Sequence, residues 1–293
     1  MKTGDIKVCI LRIEGTNCEM ETYQAFDRLG AAPELVHLKQ LTGDVEAHER
    51  RNLSEYFCLI IPGGFSSGDY VRAGAILAAR MKSSIRKELV RFVESGRPVG
   101  GICNGFQVLV ELGLLPALGQ NFSPPKRLKT GMLYGEKFWS TPMSDVPEAV
   151  LAVNDSARFE CRPTLLKHEG KCVFTGKIPL RKIVCMPSAH GEGKLIFPDG
   201  EKKYLQRLID NGQIVFRYVD DEGRYAGYPW NPNGSTYNIA GLCNPSGTVF
   251  GMMPHPERVF YPWMHQDWTR VSRKEGDGKA FFESVVSYIR RKF

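Results

Sequence analysis

The stretch Val99-Gly100-Gly101-Ile102-Cys103-Asn104-Gly105-Phe106-Gln107 constrains this chain more than any other segment. It sets one cysteine between an apolar, strand-like run and a helix-like run, with glycine two residues away on each side. That is the layout of a nucleophile elbow, a tight strand-to-helix turn that needs small residues at −2 and +2 because the turn crowds anything larger. A cysteine held there lies at a helix N-terminus, where free N–H groups and the helix dipole favour the thiolate. The spacing therefore predicts an α/β fold and covalent catalysis by Cys103.

The remainder of the chain is compatible with both expectations. Its 293 residues can build one large α/β domain, and an apolar fraction of 42% is enough to bury a core. No run approaches the ~20 apolar residues of a membrane span. Met1-Lys2-Thr3-Gly4-Asp5 leads straight into a strand-like run, so no signal peptide is expected. The eight cysteines lack CxxC pairs or regular spacing, and several sit inside apolar runs such as Val8-Cys9-Ile10. Free thiols, no structural metal and a cytoplasmic location follow. The net charge of +7 is dispersed apart from Lys126-Arg127-Leu128-Lys129 and Arg290-Arg291-Lys292, so neither nucleic acid nor a membrane is an expected partner.

Apolar runs alternate with helix-like segments through the first half, which predicts a mostly parallel sheet flanked by helices. Strands are expected at Ile6–Ile13, Glu34–Leu38, Tyr56–Ile61 and Arg97–Ile102. Helices are expected at Met20–Leu29, Ala73–Glu94 (in two pieces) and Asn104–Leu112. The second half reads as a smaller antiparallel extension folded onto that sheet, with strands at Ile183–Met186, Lys194–Phe197, Ile214–Val219, Ile239–Leu242 and Thr248–Met253. Lys279–Lys292 closes the chain as an amphipathic helix. With no repeat or linker, residues 1–293 are expected to form one domain, its core at about 6–258 and a C-terminal extension at about 259–293.

A cysteine nucleophile needs a base, and the base needs an orienting group. Of six histidines, His255 stands out in Met253-Pro254-His255-Pro256-Glu257, at the end of an apolar strand and stiffened by two prolines. In extended backbone Glu257 points to the same side as His255, so its carboxylate can hold one ring nitrogen and leave the other for Cys103. Pro62-Gly63-Gly64-Phe65 follows the strand Tyr56–Ile61 at the carboxyl end of the sheet. There the N–H groups of Gly64 and Asn104 would make a two-donor oxyanion hole.

These three motifs together resemble a class I (triad) glutamine amidotransferase, a flavodoxin-like fold. Four further segments resemble, more narrowly, the glutaminase subunits of phosphoribosylformylglycinamidine synthase in purine biosynthesis. They are Gly15-Thr16-Asn17-Cys18-Glu19, the run from Gly63 to Ala75 containing Ser66-Ser67-Gly68-Asp69-Tyr70, Ala189-His190-Gly191-Glu192-Gly193, and Asn231-Pro232-Asn233-Gly234-Ser235 leading to Asn244. The resemblance runs to about Arg258, with no motif to place between about Pro124 and Arg181. It implies that Cys103 forms a γ-glutamyl thioester, that His255 moves the protons and that Glu257 orients it. It also implies that Gln107 and Gly63 help hold L-glutamine, and that His190 shapes either the glutamine site or a partner interface. Cys18 is read as structural, with no base nearby. Ser67 stands where the family usually has an aromatic, a change expected to be tolerated.

The resemblance further implies no cofactor in this subunit. ATP and Mg2+ would be used by a partner synthetase subunit that converts formylglycinamide ribonucleotide to the amidine, with a small accessory subunit. No Gly-X-X-X-X-Gly-Lys-Ser/Thr element is present to bind ATP here. Two alternatives remain open at this point: a stand-alone thiol hydrolase or peptidase of related fold, and a non-catalytic regulatory subunit.

Overall fold

Runs of Val, Ile, Leu and Cys without polar alternation become strands when both faces of a sheet are covered. Here they do. The computed structural model describes residues 1–118, 143, 146–198 and 201–293. The first half alternates strands β1 (Lys7–Arg12), β2 (Ala32–His37), β3 (Cys58–Ile61) and β4 (Val99–Ile102) with helices α1 (Glu19–Arg28), α2 (Leu38–Thr42), α3 (Ala75–Ser84), α4 (Arg86–Glu94) and α5 (Asn104–Glu111). The second half carries β5 (Val150–Val153), β6 (Glu160–His168), β7 (Ile183–His190), β8 (Glu192–Ile196), α6 (Glu201–Asp210), β9 (Ile214–Val219), β10 (Ile239–Cys243), β11 (Val249–Met252) and α7 (Lys279–Lys292).

One sheet holds nine of these strands in the order β2-β1-β3-β4-β11-β10-β9-β6-β7. The pairs from β2 to β11 are parallel, and those from β11 to β7 antiparallel. The antiparallel strands thus extend the same sheet edge to edge. They are not a layer folded onto it, and among the described residues only the antiparallel pair β5-β8 stands apart. From β1 the chain moves outward to β2, and from β3 it moves the other way to β4. Right-handed crossovers then place α1 and the α3–α4 pair on opposite faces. The strand order reverses between β1 and β3, and at such a switch point the loops leaving the carboxyl ends diverge and open a crevice. The loops after β1 and β3 meet there through a bridge between Thr16 and Gly64.

The aromatic centre of the core joins the sheet to the C-terminal helix. Phe174, Phe250 and Phe281 lie within 5.2–5.7 Å of one another, and Phe282 meets Phe26 of α1 edge-on at 5.2 Å. Phe281, Phe282, Val285 and Ile289 are fully buried, the i, i+4, i+8 stripe of an amphipathic helix. The basic cluster Lys126–Lys129 lies outside the described residues. Among the described residues no helix is long and apolar enough to cross a membrane. Because Phe281 fills space between sheet and helix, Phe281→Ala is expected to cost about 3–5 kcal/mol of stability, read from urea unfolding.

Candidate active site

The turn between β4 and α5 is an elbow with a physical cause at each position. Cys103 adopts φ 53°, ψ −107°, a conformation most side chains avoid. Its backbone is pinned: the Cys103 N–H donates to the Met252 carbonyl at 2.8 Å, and its own carbonyl accepts from Phe106 N–H at 2.9 Å. A Cβ on Gly101 would lie 2.4 Å from the Gly105 carbonyl oxygen, and one on Gly105 would lie 1.8 Å from that of Ile61. No residue larger than glycine fits at −2 or +2. The Cys103 thiol is almost buried and faces the Ala189 carbonyl of β7 at 3.6 Å.

The expected base, His255, lies in the loop after β11. His255 N–H donates to the Pro187 carbonyl at 2.8 Å, which anchors the histidine to the edge of β7. The sequence predicts extended backbone at 255–257; instead Pro256–Val259 form a 3-10 turn with His255 as its cap. The turn is what brings Glu257 Oε1 to 2.5 Å from His255 Nδ1, with both side chains buried. His255 Nε2 makes no hydrogen bond among the described residues. Burial opposes charge on this imidazole, but the Glu257 carboxylate and the neighbouring Cys103 and Cys18 sulfurs outweigh it and raise its pKa well above the usual histidine value.

Gly63 is where these groups converge. A methyl group there would stand 2.8 Å from His255 Cε1, 3.1 Å from Cys18 Sγ and 3.4 Å from Cys103 Cβ. Cys18 therefore borders the base, which corrects the reading of it as a structural residue with no base nearby. Its Sγ accepts from Arg258 Nη2 at 3.1 Å and lies 3.9 Å from His255 Nδ1. Cys18, His255 and Glu257 also offer ligand atoms within 4.8 Å of one another. Those atoms are already committed to each other and to a guanidinium, a poor setting for a cation.

Gly64 (φ 147°) packs so tightly on the loop after β1 that a Cβ would meet the Gly15 carbonyl oxygen at 2.6 Å and Asn17 N at 2.9 Å. Among the described residues, the N–H groups of Gly64 and Asn104 donate to no protein acceptor. Both are available to an oxyanion. The Asn104 side chain has a task that sequence reasoning missed. Its Oδ1 accepts from Ser66 N–H at 3.2 Å, and its Nδ2 donates to Asp69 at 3.2 Å and Gln107 at 3.0 Å. Gln107 in turn donates to the Glu192 carbonyl, so the Gly63–Asp69 loop, α5 and β8 are tied together through two amides. The signal available was the density of polar residues in Ser66–Asp69 beside a glycine-rich turn. Ser67 takes φ 53° and hydrogen-bonds Glu14 at 3.3 Å.

His190 ends β7 and is buried next to the site. Asn154 Oδ1 already accepts from Gly193 N–H at 3.0 Å, so His190 Nδ1, 3.2 Å away, is the donor. Nε2 is then an acceptor, buried without a partner. Burial, and next the charge on His255, push its pKa down to about 4. The unfolded chain takes up this proton as pH falls through the ordinary histidine value, whereas the folded protein does not until about pH 4. Stability is accordingly lost between those values. Urea unfolding should show wild type losing on the order of 3 kcal/mol more than His190→Gln over that window. Parallel curves would show that His190 is protonated in the fold.

Residues 5–289 match the family described as the CobB/CobQ-like glutamine amidotransferase domain. The chain is 52% identical to a phosphoribosylformylglycinamidine synthase subunit PurQ from Archaeoglobus fulgidus over 99% of this chain and all of that one. It is 43% identical to a PurQ subunit from Picrophilus torridus, over 96% of this chain and 98% of the relative. Its fold matches a chain of the structure of PurLQS from Thermotoga maritima with a TM-score of 0.67 and 29% identity, covering 97% of this chain and 99% of that one. With a family match running almost from end to end, this chain belongs to the CobB/CobQ-like glutamine amidotransferases.

Proposed function

We propose that this chain is the glutaminase subunit of a phosphoribosylformylglycinamidine synthase, a single domain of residues 1–293 working in the cytoplasm. The observation that carries the catalytic part is the buried His255–Glu257 pair, 2.5 Å apart, converging with the Cys103 elbow on Gly63. The metabolic part is supported by relatives named as PurQ subunits and aligned over nearly their whole length. Eight free cysteines suit a reducing compartment.

In this reading the Cys103 thiolate attacks the side-chain carbonyl carbon of L-glutamine. The N–H groups of Gly64 and Asn104 hold the resulting oxyanion, the usual means of stabilising tetrahedral charge. The His255 imidazolium, kept charged by Glu257, gives a proton to the departing nitrogen, and ammonia leaves a γ-glutamyl thioester on Cys103. Neutral His255 then takes a proton from water, hydroxide attacks the thioester, and glutamate and the thiol are released. One glutamine and one water give one glutamate and one ammonia. Gly63 and Gln107 line the glutamine site beside the loop and helix that build it, and His190 Nε2 offers it a buried acceptor.

No ATP chemistry is assigned to this chain. ATP and Mg2+ belong to a partner synthetase subunit, which uses the ammonia to convert formylglycinamide ribonucleotide to the amidine, with a small accessory subunit completing the complex. The decisive assay mixes the chain with that synthetase and measures glutamate release and amidine formation. Cys103→Ala is expected to lose glutamine-dependent turnover by at least about 10³-fold, while added ammonia still supports amidine formation. Glutamate release unchanged in Cys103→Ala would overturn the nucleophile, and none from wild type under any condition would overturn the glutaminase reading.

A further inference from the structure

The loop after β1 and the turn after His255 belong to different ends of the chain, and among the described residues their hydrogen bonds to each other run through one sulfur. Cys18 is fully buried at the start of α1. Asn17 Oδ1, 3.2 Å away, can only accept, so the thiol donates to it; the Arg258 guanidinium, 3.1 Å away, can only donate, so the sulfur accepts from it. Behind Cys18, the N–H groups of Asn17 and Cys18 both donate to the Gly63 carbonyl at 3.3 Å, and Phe65 N–H donates to Gly15 at 2.8 Å. The residues that fix Gly63 and Gly64 are therefore tied, through sulfur, to the turn that holds His255 and Glu257.

Among the described residues Cys18 Sγ is also the one hydrogen-bond partner of the Arg258 guanidinium. Burial opposes charge on that guanidinium, and its neighbours Cys18, Glu257 and Cys103 outweigh it. The groups that Cys103 bears on electrostatically are His255 and Arg258 from the base turn and Tyr218 from β9. Arg258 is the fixed cation among them.

We propose that Cys18 and Arg258 act as one positioning unit: the Cys18 sulfur seats the guanidinium, and that tether sets the spacing between oxyanion hole and base. The proposal deepens the glutaminase reading and rests on Cys103 as nucleophile. Neither residue touches the reacting atoms.

The test uses the full chain, alone for urea unfolding and with its synthetase for glutaminase kinetics. Cys18→Ala and Arg258→Met should each lower kcat about ten-fold, the scale of one charge-assisted hydrogen bond, with KM for glutamine within about two-fold. Cys18→Ser keeps both donor and acceptor and should recover most of the rate. The Cys18→Ala/Arg258→Met double variant should be no slower than the slower single one, and its loss of stability to urea should fall short of the sum of the two singles, the mark of residues acting together. Additive losses in rate or in stability, or Cys18→Ser as slow as Cys18→Ala, would each overturn the proposal. If wild type releases no glutamate, the glutaminase reading fails, while the coupling in unfolding still decides this one.

Discussion

Helix α5 reaches the sheet as closely as it does because Gly105 has nothing to put between its backbone and the carbonyl of Ile61, where a Cβ would stand 1.8 Å away. That approach forces the turn before it. With α5 against β3 and the Cys103 N–H bound to Met252 of β11, the one residue between strand and helix is left in a conformation with φ 53°. The strain is borne by the packing on both sides, as strained functional residues require. It also aims the thiol. Cys103 cannot relax into the helix without breaking a strand contact, so its thiol stays fixed at the carboxyl end of β4, beside the switch point between β1 and β3.

The first half of the fold was legible because its strands are buried on both faces and its breaks are glycines with a steric reason. The elbow, the Gly63–Gly64 loop and the His255–Glu257 pair could all be read from local patterns. The reason given for the last was incomplete, since a 3-10 turn rather than extended backbone joins the two side chains. Strand β6 was not legible. Its inward positions include Glu160, Thr164 and His168, satisfied by the neighbouring Arg162 side chain, the Met186 carbonyl and the Gly170 carbonyl, so the alternation that marks a half-buried strand is disguised by polar side chains. Cys18 escaped for a related reason. Its partners Arg258 and His255 lie about 240 residues away, and nothing near Asn17 in sequence announces them.

The strands that were hardest to read supply the wall of the site. β7 is an edge strand, and its free backbone groups would invite a further strand. Here they are occupied: Cys185 N–H by Asp277, the Pro187 carbonyl by His255 N–H, and the Ala189 carbonyl by the Cys103 thiol. Pro187, which has no N–H to offer, stands at the middle contact. One edge is thereby protected from pairing and made to hold both Cys103 and His255. β6 pairs with β7 along eight residues and so keeps that edge straight.

Two buried histidines face this site, and they are driven in opposite directions. His255 meets a carboxylate, Glu257, which outweighs the cost of burial and keeps the imidazole charged. His190 meets an amide, Asn154, which accepts a hydrogen bond but carries no charge, so burial wins and the ring is neutral. The carboxylate that opposes that, Glu160, is already paired with Arg162. An aspartate in place of Asn154 would hold a second imidazolium opposite the first and weaken the attraction of each for its own anion. The asymmetry between one amide and one carboxylate leaves a single proton donor against Cys103 and a neutral acceptor beside it, the separation of roles that paired titratable groups need in order to act as acid and ligand at the same pH.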